Sequence, residues 1–176
     1  MKLKIQASLA CLILFGAINP SLTSAHGMGV WNSASARDKA MKIISAALAT
    51  NGRTGGQCKT WVQAVVTAAS GAHVQIPLNT AEVTSTWQPD RTGHVRNIGS
   101  DILAGRPGDI VQMIIRDING NQIGHTAIIG SNDGSKIVWL ESNYRGDGKV
   151  TTNRTQTIQN FQNSLVQGQY TVYRIS

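Results

Sequence analysis

Cysteine is nearly absent from this chain. Its 176 residues hold two, Cys11 and Cys58, and Cys11 lies in a stretch that reads as a leader. Lys2 and Lys4 make a basic start, Ala7 to Ile18 an apolar run, and Thr23-Ser24-Ala25 a small-residue cleavage pattern, which together predict a signal peptide over residues 1–25. The run is too short to span a bilayer as a stable helix, and no second one follows, so stable membrane insertion is not expected. Ser8 stands where a lipobox requires a large aliphatic side chain, which argues against a lipid anchor on Cys11. The expected product is secreted or periplasmic, starts at His26 and has no internal disulfide, so Cys58 is either a buried inert residue or a thiol kept free for chemistry. Runs of lysine and arginine are missing, as is a basic patch interleaved with aromatics, and nucleic acid is therefore not the expected partner. Loss of Lys2 and Lys4, with no acidic residue alongside, takes the formal charge from +7 to +5, a mild excess suited to an anionic cell-wall polymer. There is no internal repeat and no linker; the remaining length of about 150 residues fits one domain, 26–176, expected to be a monomer.

What the chain does have is a glycine-rich loop, Asn51-Gly52-Arg53-Thr54-Gly55-Gly56, that runs into a helical pattern. Cys58, Trp61, Val62, Val65 and Ala69 recur at the three- and four-residue steps of one helix face, and Gly71 supplies a stop. Cys58 thus falls in a first helical turn, where unpaired N–H groups and the macrodipole favour negative charge, and a thiolate is the nucleophilic form of cysteine. A preceding helix is predicted over Asn32 to Thr50, capped by Ser33 or Ser35, with a core stripe of Ala36, Ala40, Ile43, Ile44, Ala47 and Leu48. Residues 72–100 read as a long irregular connection, broken by Pro77, Pro89, Gly93 and Gly99, with Trp87 as its large apolar anchor; such a segment is placed to wall a cleft.

The second half changes character. Ile110 to Ile115 is a β-branched strand, Asp117-Ile118-Asn119-Gly120-Asn121 carries hairpin chemistry, and His125 to Ile129 returns. Asn132-Asp133-Gly134 turns the chain again into Lys136–Tyr144; a polar stretch and a last strand, Gln169 to Ile175, follow. Helices first and an antiparallel meander second predict an α+β domain. His125 is expected at a strand start, with Gly124 leaving room beside its ring, and Glu141 and Asn143, two apart, are expected on one strand face. A thiol, an imidazole and a carboxylate or amide that can orient it are the parts of Cys-His nucleophilic catalysis. Taken alone, His125 reads as readily as a satisfied strand-end histidine; the set carries the argument.

In order, Gly56-Gln57-Cys58-Lys59-Thr60-Trp61, Gly108-Asp109-Ile110-Val111, Gly124-His125-Thr126-Ala127-Ile128-Ile129 and Glu141-Ser142-Asn143-Tyr144 resemble the CHAP family of cysteine- and histidine-dependent amidohydrolase/peptidase domains. The resemblance implies a papain-like fold and hydrolysis of amide bonds in peptidoglycan, on a peptide or muramoyl-peptide substrate, by an amidase or endopeptidase. Carried over by position, Cys58 is the nucleophile, His125 the general base, Glu141 the orienting acid and Asn143 an accessory group, while Gln57 stands where its amide could join the Cys58 N–H in binding an oxyanion. Which of Glu141 and Asn143 orients the histidine stays open. Some family members hold calcium near the cysteine; Arg53 to Gln57 contains no carboxylate, so no metal and no cofactor are expected. Two alternatives remain: a catalytically silent wall-binding domain, or a copper protein using an N-terminal His26 completed by His73 or His94.

Overall fold

The computed structural model describes residues 30–74, 93–117 and 119–176. The leader, His26, and the stretch 75–92 with Trp87 and both prolines of the predicted cleft wall lie outside the described residues.

The first predicted helix is divided. A short turn at 30–32 gives way to helix α1, Ala36–Leu48, whose N-cap is Ser35: its hydroxyl accepts the Asp38 N–H at 3.1 Å. Ile43 and Ala47 of the stripe are buried, whereas Leu48 is 48% exposed, because the last turn rotates its Cβ off the core. Helix α2, Cys58–Ser70, follows its predicted bounds, and Gly71 ends it in the left-handed conformation at φ +62° that favours glycine. The two helices pack against each other and onto one face of a six-stranded sheet.

The strands are β1 (Val95–Asn97), β2 (Ile110–Arg116), β3 (Gln122–Asn132), β4 (Lys136–Ser142), β5 (Val150–Thr157) and β6 (Leu165–Ile175), in the spatial order β1-β6-β2-β3-β4-β5 with every pairing antiparallel. The meander β2–β4 is as read, but β6 returns to the far side of β2, and β1 lies within the segment expected to be irregular. The polar stretch after Tyr144 is also structured: it forms β5 and a short helix α3, Ile158–Ser164. Both faces of the sheet are buried. Ile110, Ile128 and Leu140 face α1 and α2; Val111, Ala127, Ile129, Ile137 and Trp139 face a second cluster closed by Phe161 of α3 and Ile102 of a 3-10 turn, Ile102–Ala104. Trp31, Trp61 and Trp139 are all core residues.

The loop before α2 is held in place rather than loose. Gly55 and Gly56 both donate backbone hydrogen bonds to Gly148 O, at 2.8 and 3.1 Å, and Val150 donates to Arg53 O at 2.9 Å. A Cβ on Gly55 would lie 2.5 Å from Ser142 Oγ and 2.6 Å from Val150 Cγ2, so glycine is required there by close approach. This clasp fixes the head of α2 against the end of β4.

Candidate active site

The site grows from that clasp. Gln57 is the N-cap of α2 and makes no side-chain cap, so the first-turn N–H groups stay directed at their surroundings. Cys58, the first helical residue, is a partly buried free thiol. It is hydrogen-bonded to the side chain of His125 and to the backbone at Thr126 and Lys59.

His125 comes from β3, but not from its start. The strand begins three residues earlier, at Gln122, because the hairpin ladder with β2 runs on to Arg116↔Gln122, and His125 stands opposite Met113 inside the sheet. Ala127 pairs with Glu141 across β3 and β4, so His125, two residues before Ala127, is the diagonal neighbour of Glu141 on the same face. The ring Nε2 lies 2.9 Å from Glu141 Oε2, which leaves Nδ1 to face Cys58. His125 is 2% exposed and Glu141 0%.

Asn143 does not share the strand face with Glu141. β4 ends at Ser142, and Asn143 is in the left-handed region at φ +61°, a conformation its short amide side chain tolerates, so the alternation stops one residue short. Its Oδ1 accepts the Gly148 N–H at 2.8 Å and its Nδ2 donates to Gln57 Oε1 at 3.2 Å. The carboxylate of Glu141, not the amide of Asn143, contacts the imidazole. Asn143 instead holds the turn and the Gln57 side chain, and Ser142 Oγ donates to Gly56 O at 2.8 Å.

The electrostatics follow from these contacts. Burial works against charge on Cys58, but the hydrogen bond and charge of His125 outweigh it and set the thiol below its ordinary value. Burial likewise disfavours the His125 cation, yet Cys58 and Glu141 push it up to about 9. Glu141, also penalised by burial, is held below the ordinary carboxylate value by His125 and Arg154. These shifts all run in the direction that favours a thiolate–imidazolium pair backed by an ionised carboxylate.

Sequence reasoning missed Arg154. It lies opposite Trp139 on β5 and forks onto Glu141 through Nε and, at 3.0 Å, Nη2. The available signal was weak: Thr152, Arg154 and Gln156 alternate in a stretch without apolar residues, the pattern of a polar edge strand. The thiol and imidazole open onto a cleft of about 390 Å³. Among the described residues its walls are the β2–β3 turn, with Asp117 and Asn119, and the loop after β4, with Asn143, Tyr144 and Arg145; most of the stretch 72–100, expected to wall a cleft, lies outside the described residues.

Among the described residues no group of three or more His, Cys, Asp and Glu side chains is arranged to hold a metal ion. Of the histidines considered for copper, His26 lies outside the described residues, and His94 Nδ1 sits 3.0 Å from Ser176 O. No described helix is long and apolar enough to cross a membrane.

No family model matches this chain, and no curated protein matches it. Among solved structures it is similar to Ly7917, at TM-score 0.56 and 17% identity over 77% of this chain and 62% of the other. It is similar also to Ly7917 with the hydrolyzing product of MDP, at TM-score 0.55 and 17% identity over 78% and 63%. The chain thus spans under two thirds of the length of these neighbours, and at this identity the likeness is one of fold: an α+β domain on an antiparallel sheet, shared with Ly7917.

Proposed function

We propose that this protein is an exported cysteine hydrolase of the CHAP type, on a papain-like fold, that cuts amide bonds of bacterial peptidoglycan. The observation that carries the reading is the chain Cys58–His125–Glu141, buried at its base and open to a cleft at the thiol. The neighbour solved with the hydrolyzing product of MDP favours a muramoyl-peptide as substrate.

In this reading the Cys58 thiolate attacks the amide carbonyl carbon and forms a C–S bond, and the carbonyl electrons move to oxygen. The oxyanion is received by the Cys58 N–H, with the free amide NH2 of Gln57 as second donor, since Asn143 engages the Gln57 oxygen. Collapse of this intermediate breaks the C–N bond, and the His125 imidazolium gives its proton to the departing amine. The now neutral imidazole takes a proton from water, which attacks the thioester and releases the acid and the thiolate. Glu141 keeps the ring in one orientation throughout and stabilises its cationic form.

The test is incubation with purified sacculi and mass analysis of the released fragments. Free stem peptides with a new N-terminal alanine would identify an amidase, and new ends between peptides an endopeptidase. Intact sacculi after prolonged incubation with folded protein would contradict the proposal.

A further inference from the structure

Arg154 plays no part in the sequence of bond changes above, yet it grips the base of the chain that makes them. Its Nε and Nη2 meet Oε1 and Oε2 of Glu141 side-on, while Nη1 donates to Gln156 Oε1 at 3.0 Å, an oxygen that also accepts the Trp139 Nε1–H at 3.0 Å. The guanidinium carbon lies 3.9 Å from the centroid of the Tyr144 ring, and that ring meets the His125 ring edge-on at 5.7 Å. We infer that Arg154 is a positioning residue for the Cys58–His125 pair, one guanidinium fixing both the carboxylate that holds the imidazole and the aromatic ring that walls it.

Charge balance gives the physical reason. The groups around Glu141 are His125 from β3, Arg154 from β5 and Cys58 from the head of α2, with Tyr144 in the loop after β4; Asp117 and Arg145 line the cleft. Thiolate, imidazolium, carboxylate and guanidinium alternate in sign and sum to zero. Without Arg154 a fully buried carboxylate keeps a single cationic neighbour, and burial then favours its protonated form as the pH falls. Once Glu141 is neutral, the His125 cation loses its support, and the thiolate goes with it. Removing Arg154 also removes a cation that repels the imidazolium, but that repulsion acts over the longer distance across Glu141, whereas the contact with Glu141 is direct, so loss of support dominates. The planar fork is a task for arginine: lysine offers a point charge that can neither bridge both oxygens nor lie flat on Tyr144.

The inference rests on the proposed function only for its consequence in hydrolysis, and its test needs no substrate. The rate of iodoacetamide alkylation of Cys58 is followed against pH in the intact folded protein, in Arg154→Met and in Arg154→Lys. Arg154→Met is expected to move the acid limb of the profile up by about one pH unit, so that alkylation on that limb slows about tenfold; Arg154→Lys is expected to move it less, in the same direction. A purely structural role would lower the melting temperature and leave the limb where it is. A folded Arg154→Met whose limb coincides with the wild-type limb, or lies below it, overturns the inference. If Arg154→Met does not fold, Arg154→Lys decides, and a profile identical to wild type overturns it. A shifted limb in a protein that leaves sacculi intact would uphold Arg154 and dismiss the proposed function; sacculi cleaved with no shift would do the reverse.

Discussion

Cys58→Ala and His125→Ala are each expected to lower hydrolysis of peptidoglycan amides by about three orders of magnitude or more. The thiol supplies the bond to carbon, and the imidazole supplies its charge and carries the proton; among the described residues lining the cleft neither has a substitute. Because the two act as a unit, the double variant is expected to fall little below either single one, where independent contributions would multiply. Cys58→Ser is expected to fold as the wild type does and to remain nearly inactive, since the same imidazole cannot ionise a hydroxyl. Initial rates on sacculi for the four proteins check this. A double variant that is far worse than both singles would show that His125 acts on something other than Cys58.

The second large effect is on stability. Glu141 is wholly buried and answers two cations, so Glu141→Gln leaves Arg154, at 19% exposure, facing an uncharged amide and strips His125 of its counter-charge. Breaking a buried pair in this way is expected to cost about 3–5 kcal/mol in unfolding free energy at neutral pH. The pH dependence has a definite sign. The folded carboxyl titrates below its ordinary value of 4.5, so its contribution is present above that value and is lost as pH falls through the lowered one. The gap between wild type and Glu141→Gln is therefore expected to narrow in acid. His125 acts on the other side: its folded value of about 9 lies above the ordinary 6.5, so its stabilisation is complete below 6.5 and disappears as pH rises through about 9. Denaturant titrations across the pH range measure both limbs, and a gap that widens in acid would contradict the assignment of charge to Glu141.

Much of this was legible in the residues, and the exceptions have physical causes. Helix α2 could be read because its apolar spacing and Gly71 point to the same span. His125 and Glu141 could be paired in outline because β-branched strands with Asn-Gly and Asp-Gly turns fix a meander. Asn143 misled because alternation in the text continues past Ser142 while the backbone does not: a left-handed residue ends the strand and turns its side chain to Gln57. β5 and α3 were hidden by composition. β5 is an edge strand whose inward positions are Arg154 and Gln156, satisfied by Glu141 and Trp139, and α3 buries only Phe161. Gly55 looked like a flexible loop glycine, and its real constraint, contact with Ser142 and Val150 nearly a hundred residues on, has no local signature.

The central claim is that Cys58 is a thiolate sustained by His125 at the mouth of a cleft, and alkylation of that thiol measures it most directly. Iodoacetamide should modify Cys58 in the native protein well below pH ~8.5, where an ordinary thiol is mostly protonated, and His125→Ala should slow the reaction at neutral pH. Modification that occurs only after unfolding, or at the same rate with and without His125, would contradict the account and make Cys58 a residue of the core.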